Sequence, residues 1–192
     1  MKRIIFLLTF SFLLLQLHTA LAQDQAAMMK AYQAFATPGP MHKLMDSWKG
    51  SWSADVTSWM DPKTPPMKST ATVENTMALN GLYQMGHYIG TMMGAPFEGY
   101  STLAYDNAKK MFVDTWVDNM GSGVVIMMGT WNDKTKTLSL SGTQTNAMTG
   151  KDSPIRQETK LIDANTQKMT MYGEGMDGKE MKFMEATMKR AM

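Results

Sequence analysis

From Trp52 onward the sequence alternates with a period of two, and residues that reverse a chain break that period at short intervals. Trp52, Ala54, Val56, Ser58 and Met60 fall in one phase and Ser53, Asp55, Thr57 and Trp59 in the other, until Asp61-Pro62-Lys63-Thr64-Pro65-Pro66 stops the run. Comparable runs follow at about 68–79, 82–92, 97–105, 111–118, 124–131, 136–145, 154–162, 167–173 and 180–190. The breaks contain Asn80-Gly81, Gly94-Ala95-Pro96, Asp106-Asn107, Gly121-Ser122-Gly123, Asn132-Asp133, Thr149-Gly150 and Asp177-Gly178. Glycine and asparagine accept positive φ there, and aspartate caps its own turn. Around ten strands of 6–12 residues predict an antiparallel meander. An open sheet of that size leaves two exposed edges, so the strands either pack as two sheets or close on themselves, and a closed barrel is the expected form. Before the strands, residues 23–36 lack β-branched side chains and read as a helix ended by Thr37-Pro38-Gly39-Pro40. Pro40 is well placed to open a second short helix over Met41 to Ser47. The expected fold class is therefore all-β, an antiparallel barrel of about ten strands with one or two short N-terminal helices.

The first residues set the compartment. Lys2 and Arg3 form a positive start, Ile4 to Leu17 an almost unbroken apolar stretch, and Ala20-Leu21-Ala22 a small-x-small cleavage pattern. Residues 1–22 are expected to be a signal peptide cut after Ala22, 23–39 a helix and linker, and 40–192 the barrel domain. The apolar stretch is short for a membrane span, so integral membrane association after cleavage is not expected and the product is periplasmic or secreted. With no cysteine, a lipid-modified cysteine is impossible. Loss of Lys2 and Arg3 lowers the 19 basic residues to 17, against 17 acidic ones, so the mature chain is formally neutral. A neutral chain with no Lys/Arg stripe has no electrostatic footprint for nucleic acid. The sequence does not set an oligomeric state.

Several local patterns, taken in order, resemble a bacterial family known as domain of unknown function 1579. They are His42-Lys43-Leu44 leading into Gly50-Ser51-Trp52, then Gly81-Leu82-Tyr83, Ala95-Pro96-Phe97-Glu98-Gly99, Ala104-Tyr105-Asp106-Asn107, Trp116-Val117-Asp118-Asn119-Met120, Thr149-Gly150-Lys151 and Met188-Lys189-Arg190. The resemblance spans about residues 40–190 and implies a lipocalin-like, or calycin, barrel. It also implies a structural pair, a guanidinium from Arg190 stacked on the indole of Trp52 to close one end. The family has no agreed activity, so the resemblance supplies no function.

Methionine is the unusual component of the composition. Of the 23 methionines, 22 follow Met1, whereas Leu, Ile and Val together contribute only 17 residues beyond position 22. Thioethers suit Cu(I), and Met41-His42 with Met45, Met92-Met93 and Met181/Met184/Met188 are the sets to weigh. Their even spread and strand phase favour use as flexible core filler, with reversible oxidation as a further possibility. His42 and His87 are far apart and share no carboxylate at zinc-ligand spacing, so no metal ligand is assigned. A lumen-facing His87 could meet a haem iron, as in some calycin relatives, but is more simply a hydrogen-bonded polar residue, so no cofactor is assigned.

The segment 112–119 places Phe112, Asp114, Trp116 and Asp118 on one face. Turned inward, the two carboxylates need donors, which Arg156 or His87 could supply; turned outward, they are ordinary solvated groups. On the run from Leu82, the phase Tyr83, Met85, His87, Ile89 is the more apolar and is expected to face the interior. The opposite phase, with Gly86 and Gly90, is expected to pack outside. No Gly-x-Ser-x-Gly elbow, His-Glu-x-x-His or phosphate loop is found, so no catalytic residue is assigned. The expected function is binding of a small hydrophobic molecule in the lumen, with Tyr83, His87, Asp114, Trp116, Asp118 and Arg156 as the candidate ligand-binding residues. A methionine-rich copper or oxidant-buffering protein, an enzyme using lumen carboxylates such as Asp118, and a filled barrel acting as a scaffold in assembly are the alternatives.

Overall fold

A computed structural model describes residues 23–175 and 177–191, so the expected signal peptide at 1–22 lies outside the described residues. The chain divides after Thr37 into two compact units. In the first, residues 23–35 form a helix (α1) with exposed side chains throughout. The second unit carries a short helix, α2 (Pro40–Asp46), and ten strands. The strands are β1 (Gly50–Ser58), β2 (Met67–Ala78), β3 (Tyr83–Met92), β4 (Ala95–Asp106), β5 (Met111–Asp118), β6 (Val125–Asn132), β7 (Thr137–Thr145), β8 (Asp152–Asp163), β9 (Thr166–Glu174) and β10 (Glu180–Arg190). Each strand pairs antiparallel with its neighbours in sequence, and β10 returns to β1 in the register Trp52↔Arg190 to Ser58↔Met184. The barrel is closed, so no sheet edge is left unpaired.

Closure needs bending, and two inward positions show how the sequence allows it. A Cβ on Gly129 would stand 1.8 Å from the Ser139 carbonyl oxygen, and one on Gly142 would stand 2.0 Å from that of Ile126. Only glycine lets β6 and β7 turn so tightly across each other. On β10, pairing with β9 shifts between Lys182 and Met184, a bulge that inserts Phe183 into the strand.

One end of the barrel is plugged. Gly39 precedes α2 in extended conformation, Pro40 takes the first helical position, and His42 Nδ1 accepts a hydrogen bond from the Gly39 N–H at 3.0 Å. This helix drives Met45, fully buried, and Trp48 against Leu103, Phe112, Met127, Leu138, Leu140 and Ile155. Its last carbonyls are not orphaned. Gln84 donates to the Met45 carbonyl at 2.6 Å, and Asn75 donates to that of Trp48 at 3.3 Å. Beside the plug, the Arg190 guanidinium lies 4.3 Å above the Trp52 ring, as the family resemblance implies. It also donates to the carbonyls of Lys49, Ser47 and Ala164. The cation therefore ties the last strand, the first strand and the β8–β9 turn together.

Candidate functional site

Inside the barrel, above the plug, is a cavity of about 300 Å³. Its walls are mostly apolar and rich in thioethers, with Met92, Met127, Met169, Met171, Met184 and Met188 among the lining residues. Neutral polar side chains such as Gln84, Ser101, Gln144 and Gln157 are spread around the wall, but its carboxylates are confined to β5, whose inner face carries Phe112, Asp114, Trp116 and Asp118, so both point inward. Phe112, fully buried, belongs to the plug cluster, whereas Asp114, Trp116 and Asp118 line the cavity in rising order toward the far rim.

Asp114 is only 8% exposed, and its cross-strand neighbours are the buried side-chain positions of Leu103 and Met127. Among the described residues no hydrogen bond or ion pair reaches its carboxyl. Burial alone pushes its pKa up to about 7, because the charged form loses water and gains no partner. Across the lumen wall, burial pushes the Tyr88 hydroxyl up to about 12. The Asp114 charge adds to that shift, and the Ser101 hydroxyl pulls the other way. Asp118 is handled differently. Trp116 Nε1 donates to its Oδ2 at 2.7 Å and the Met120 N–H to its Oδ1 at 2.9 Å, so its lone pairs are engaged near the rim.

Aromatic rings frame these groups. Trp116 meets Tyr88 edge-on, with centroids 4.9 Å apart, and lies nearly parallel to Phe97 at 6.2 Å. Room for the indole comes from Gly99, where a Cβ would stand 2.6 Å from the six-membered ring of Trp116.

Three of the six residues expected at the site therefore do line the cavity, and three do not. Tyr83 and His87 occupy the outer face of β3, because Gln84, Tyr88 and Met92 hold the inner phase. This reverses the expectation that the more apolar phase faces inward. The reversal follows because the inner phase has no room for side chains at Gly86 and Gly90: a Cβ on Gly86 would stand 2.8 Å from the Tyr88 ring, and one on Gly90 would stand 2.6 Å from the Thr70 carbonyl oxygen. His87 instead stacks on Tyr100 at 4.5 Å and contacts Glu98 Oε1 at 2.8 Å. The Tyr100 hydroxyl donates to the same oxygen at 2.6 Å, and these two partners hold the Glu98 carboxyl below the usual range. From that position His87 offers nothing to the lumen, neither a donor to a carboxylate nor a ligand to an iron. Arg156 is likewise external. It pairs with Glu158 at 2.6 Å and Glu180 at 3.0 Å, with its guanidinium 3.7 Å above the Tyr172 ring.

The methionine sets divide as well. Met184 and Met188 line the cavity while Met181 lies beside Gly175, and Met92 lines it while Met93 is exposed at the hairpin tip. Met45 and His42 are buried in and beside the plug. Sequence reasoning missed Tyr88, Gln84 and Met127 as wall residues; for the first two the signal was the pair of β3 glycines, read as outward-facing.

Rv2717c from M. tuberculosis has a similar structure, with a TM-score of 0.65 at 14% identity over 81% of this chain and 100% of that one. The S-type phycobiliprotein lyase CpeS from Guillardia theta has a TM-score of 0.57 at 8% identity, covering 79% of this chain and 93% of that one. At such identities the likeness is one of fold alone. No curated protein matches the chain. Over residues 37–190, a stretch that takes in α2 and all ten strands, the chain matches the family described as protein of unknown function (DUF1579), and it belongs to that family.

Proposed function

We propose that this protein is exported and carries a small, mainly apolar molecule in the lumen of its barrel. The observation that carries the reading is the cavity of about 300 Å³ lined by methionines and aromatic rings. That volume sits at the lower end of ligand pockets, and the balance of many apolar walls with a few convergent polar groups is typical of them. Methionine suits such a wall because its unbranched thioether adapts to varied shapes. The apolar lining gives affinity, and Asp114, Trp116 and Tyr88 give orientation. Export supports the same reading: the leader-like residues 1–22 would send the barrel to a compartment where a carrier meets sparingly soluble molecules.

Two measurements test the proposal. Native mass spectrometry of protein purified from its own host should show a mature chain beginning at Gln23, accompanied by a small-molecule adduct that organic extraction removes. A lipophilic fluorescent probe should bind the extracted protein at one site per chain. A chain that retains Met1 contradicts the export half, and a wild-type protein that takes up no probe contradicts the carrier half.

A further inference from the structure

Among the described residues, the titratable groups that line the cavity are Tyr88, Asp114 and Asp118, with no lysine, arginine or histidine. The groups packed around Asp114 are equally one-sided. From β4 it faces Leu103 and Ser101, from β6 Met127 and Val125, from β3 Tyr88, and along its own strand Trp116 and Asp118. The cavity thus carries two carboxylates with no internal cation, and one of them, Asp114, is nine-tenths buried, aimed into the cavity and unpartnered among the described residues. Unpartnered burial favours the neutral form of such a group, and only a counter-charge from elsewhere stabilises it as a carboxylate. Arg156, the cation that could have supplied it from within the chain, is engaged with Glu158 and Glu180 on the outer surface.

The rest of the wall suits the same counter-charge. Trp116, Tyr88 and Phe97 form a group of adjoining rings, with centroids 4.9 Å and 6.2 Å apart around the indole. Aromatic faces attract ammonium groups through the negative face of the ring, most strongly where water is excluded. Asp114 and Asp118 are four residues apart on one strand, about 13 Å at the usual strand rise. A ligand with its charged head at Asp114 would lay its apolar part among the methionines.

Resting on the carrier reading above, we propose that the lumen selects lipophilic organic cations, amines with an apolar body, with the Asp114 carboxylate as the ion-pair partner and the Trp116–Tyr88–Phe97 rings as the cage around the ammonium group. Recognition is by charge and ring faces, so primary and substituted amines both belong to the class. Because the empty site favours the neutral carboxyl, binding the cation expels the Asp114 proton wherever that group is still protonated.

The test uses the mature full chain with n-octylamine, n-octanol and octanoate, which share a tail and differ in the head, measured by displacement of a lipophilic dye and by calorimetry. At about pH 8.5, where the carboxyl is ionised and the amine charged, octylamine should bind at least about tenfold tighter than octanol, and octanoate weakest. At about pH 5.5 the preference should shrink, and calorimetry in buffers of different ionisation enthalpy should show proton release on amine binding. Asp114→Asn should remove both the preference and the proton release, so that octylamine binds the variant no tighter than octanol does. If wild type binds octanol as tightly as octylamine, or prefers octanoate, the cation proposal fails and the carrier reading stands. If the amine preference survives Asp114→Asn, the assignment to Asp114 is wrong. If none of the three displaces the dye, or no dye binds, the carrier reading fails and takes this proposal with it. The pH series on the wild type decides the matter even if the variant does not fold.

Discussion

At the scale of single residues the lumen carboxyl is the position where chemistry and stability oppose each other. The Asp114 carboxyl titrates near 3.8 in an unfolded chain and near 7 in the barrel, so the folded state holds its proton more tightly. Between those values the native protein binds more protons than the unfolded one, and stability falls as pH rises. Below about pH 4 the group costs nothing, and above about pH 7 the full penalty is present, at most about 4 kcal/mol. Asp114→Asn should therefore stabilise the empty protein by a few kcal/mol at about pH 8 and leave it nearly unchanged at about pH 4. Urea denaturation at the two pH values checks this, and an equal effect at both would mean that Asp114 is hydrated or paired in solution. A residue retained at such a cost is more economically explained by what it binds than by what it holds together.

At the scale of elements the sequence showed which residues share a strand face more surely than which face turns inward. On β5 alternation puts Phe112, Asp114, Trp116 and Asp118 on one face, left open between interior and solvent, and that face lines the interior. β3 failed because hydrophobicity and orientation part company there. Inside a narrow barrel a position beside a large ring must be small, so Gly86 makes room for Tyr88, and Tyr83, Met85 and Ile89 are left as the apolar but outward phase. Residue size, rather than polarity, decides the phase of such a strand, and size complementarity between strands is invisible until the register is known. Gly99 tests the point. With an added Cβ 2.6 Å from the Trp116 ring, Gly99→Ala should displace the indole and cost roughly 1–3 kcal/mol by overpacking. It should also shift Trp fluorescence and weaken dye uptake, and an unchanged emission spectrum would show that the ring has another place to go. The plug helix gives a second test. Burial lowers the pKa of His42, with the Tyr105 backbone carbonyl partly opposing it, so the native state resists protonating this ring. Stability should therefore fall as pH drops below about 6.5, where the unfolded chain takes up the proton and the folded one does not. Gln in place of His42 keeps an acceptor for the Gly39 N–H but cannot titrate. His42→Gln should lose some packing against Tyr105 and remove that part of the acid limb, which denaturation between about pH 7 and pH 5 would register.

At the scale of the whole molecule the barrel is packed at one end and hollow toward the other, and this gradient separates a carrier from a filled scaffold. Fold class and strand number could be read from alternation and turn residues, because both are written locally, while the Arg190–Trp52 closure came with the family resemblance. Whether the lumen is full could not, because it depends on the volumes of thirty or so side chains summed across ten strands. Phe112 and Trp116 lie on the same face of β5, four residues apart, and sample the two ends. Phe112 is fully buried in the cluster that α2 and Trp48 complete, and its ring meets Tyr105 edge-on at 5.0 Å. Phe112→Ala should cost about 3–5 kcal/mol, as for a large aromatic removed from a close-packed core. Trp116 is larger, yet one side of it faces the cavity, so it has fewer packing partners to lose. Trp116→Ala should cost less than Phe112→Ala, on the order of 2 kcal/mol, while weakening probe uptake severalfold. Chemical denaturation of both variants, with dye binding on the same samples, reads the two quantities together. If Trp116→Ala proves the costlier of the two and the wild type takes up no dye, the upper lumen is as tightly packed as the plug and the barrel is a scaffold.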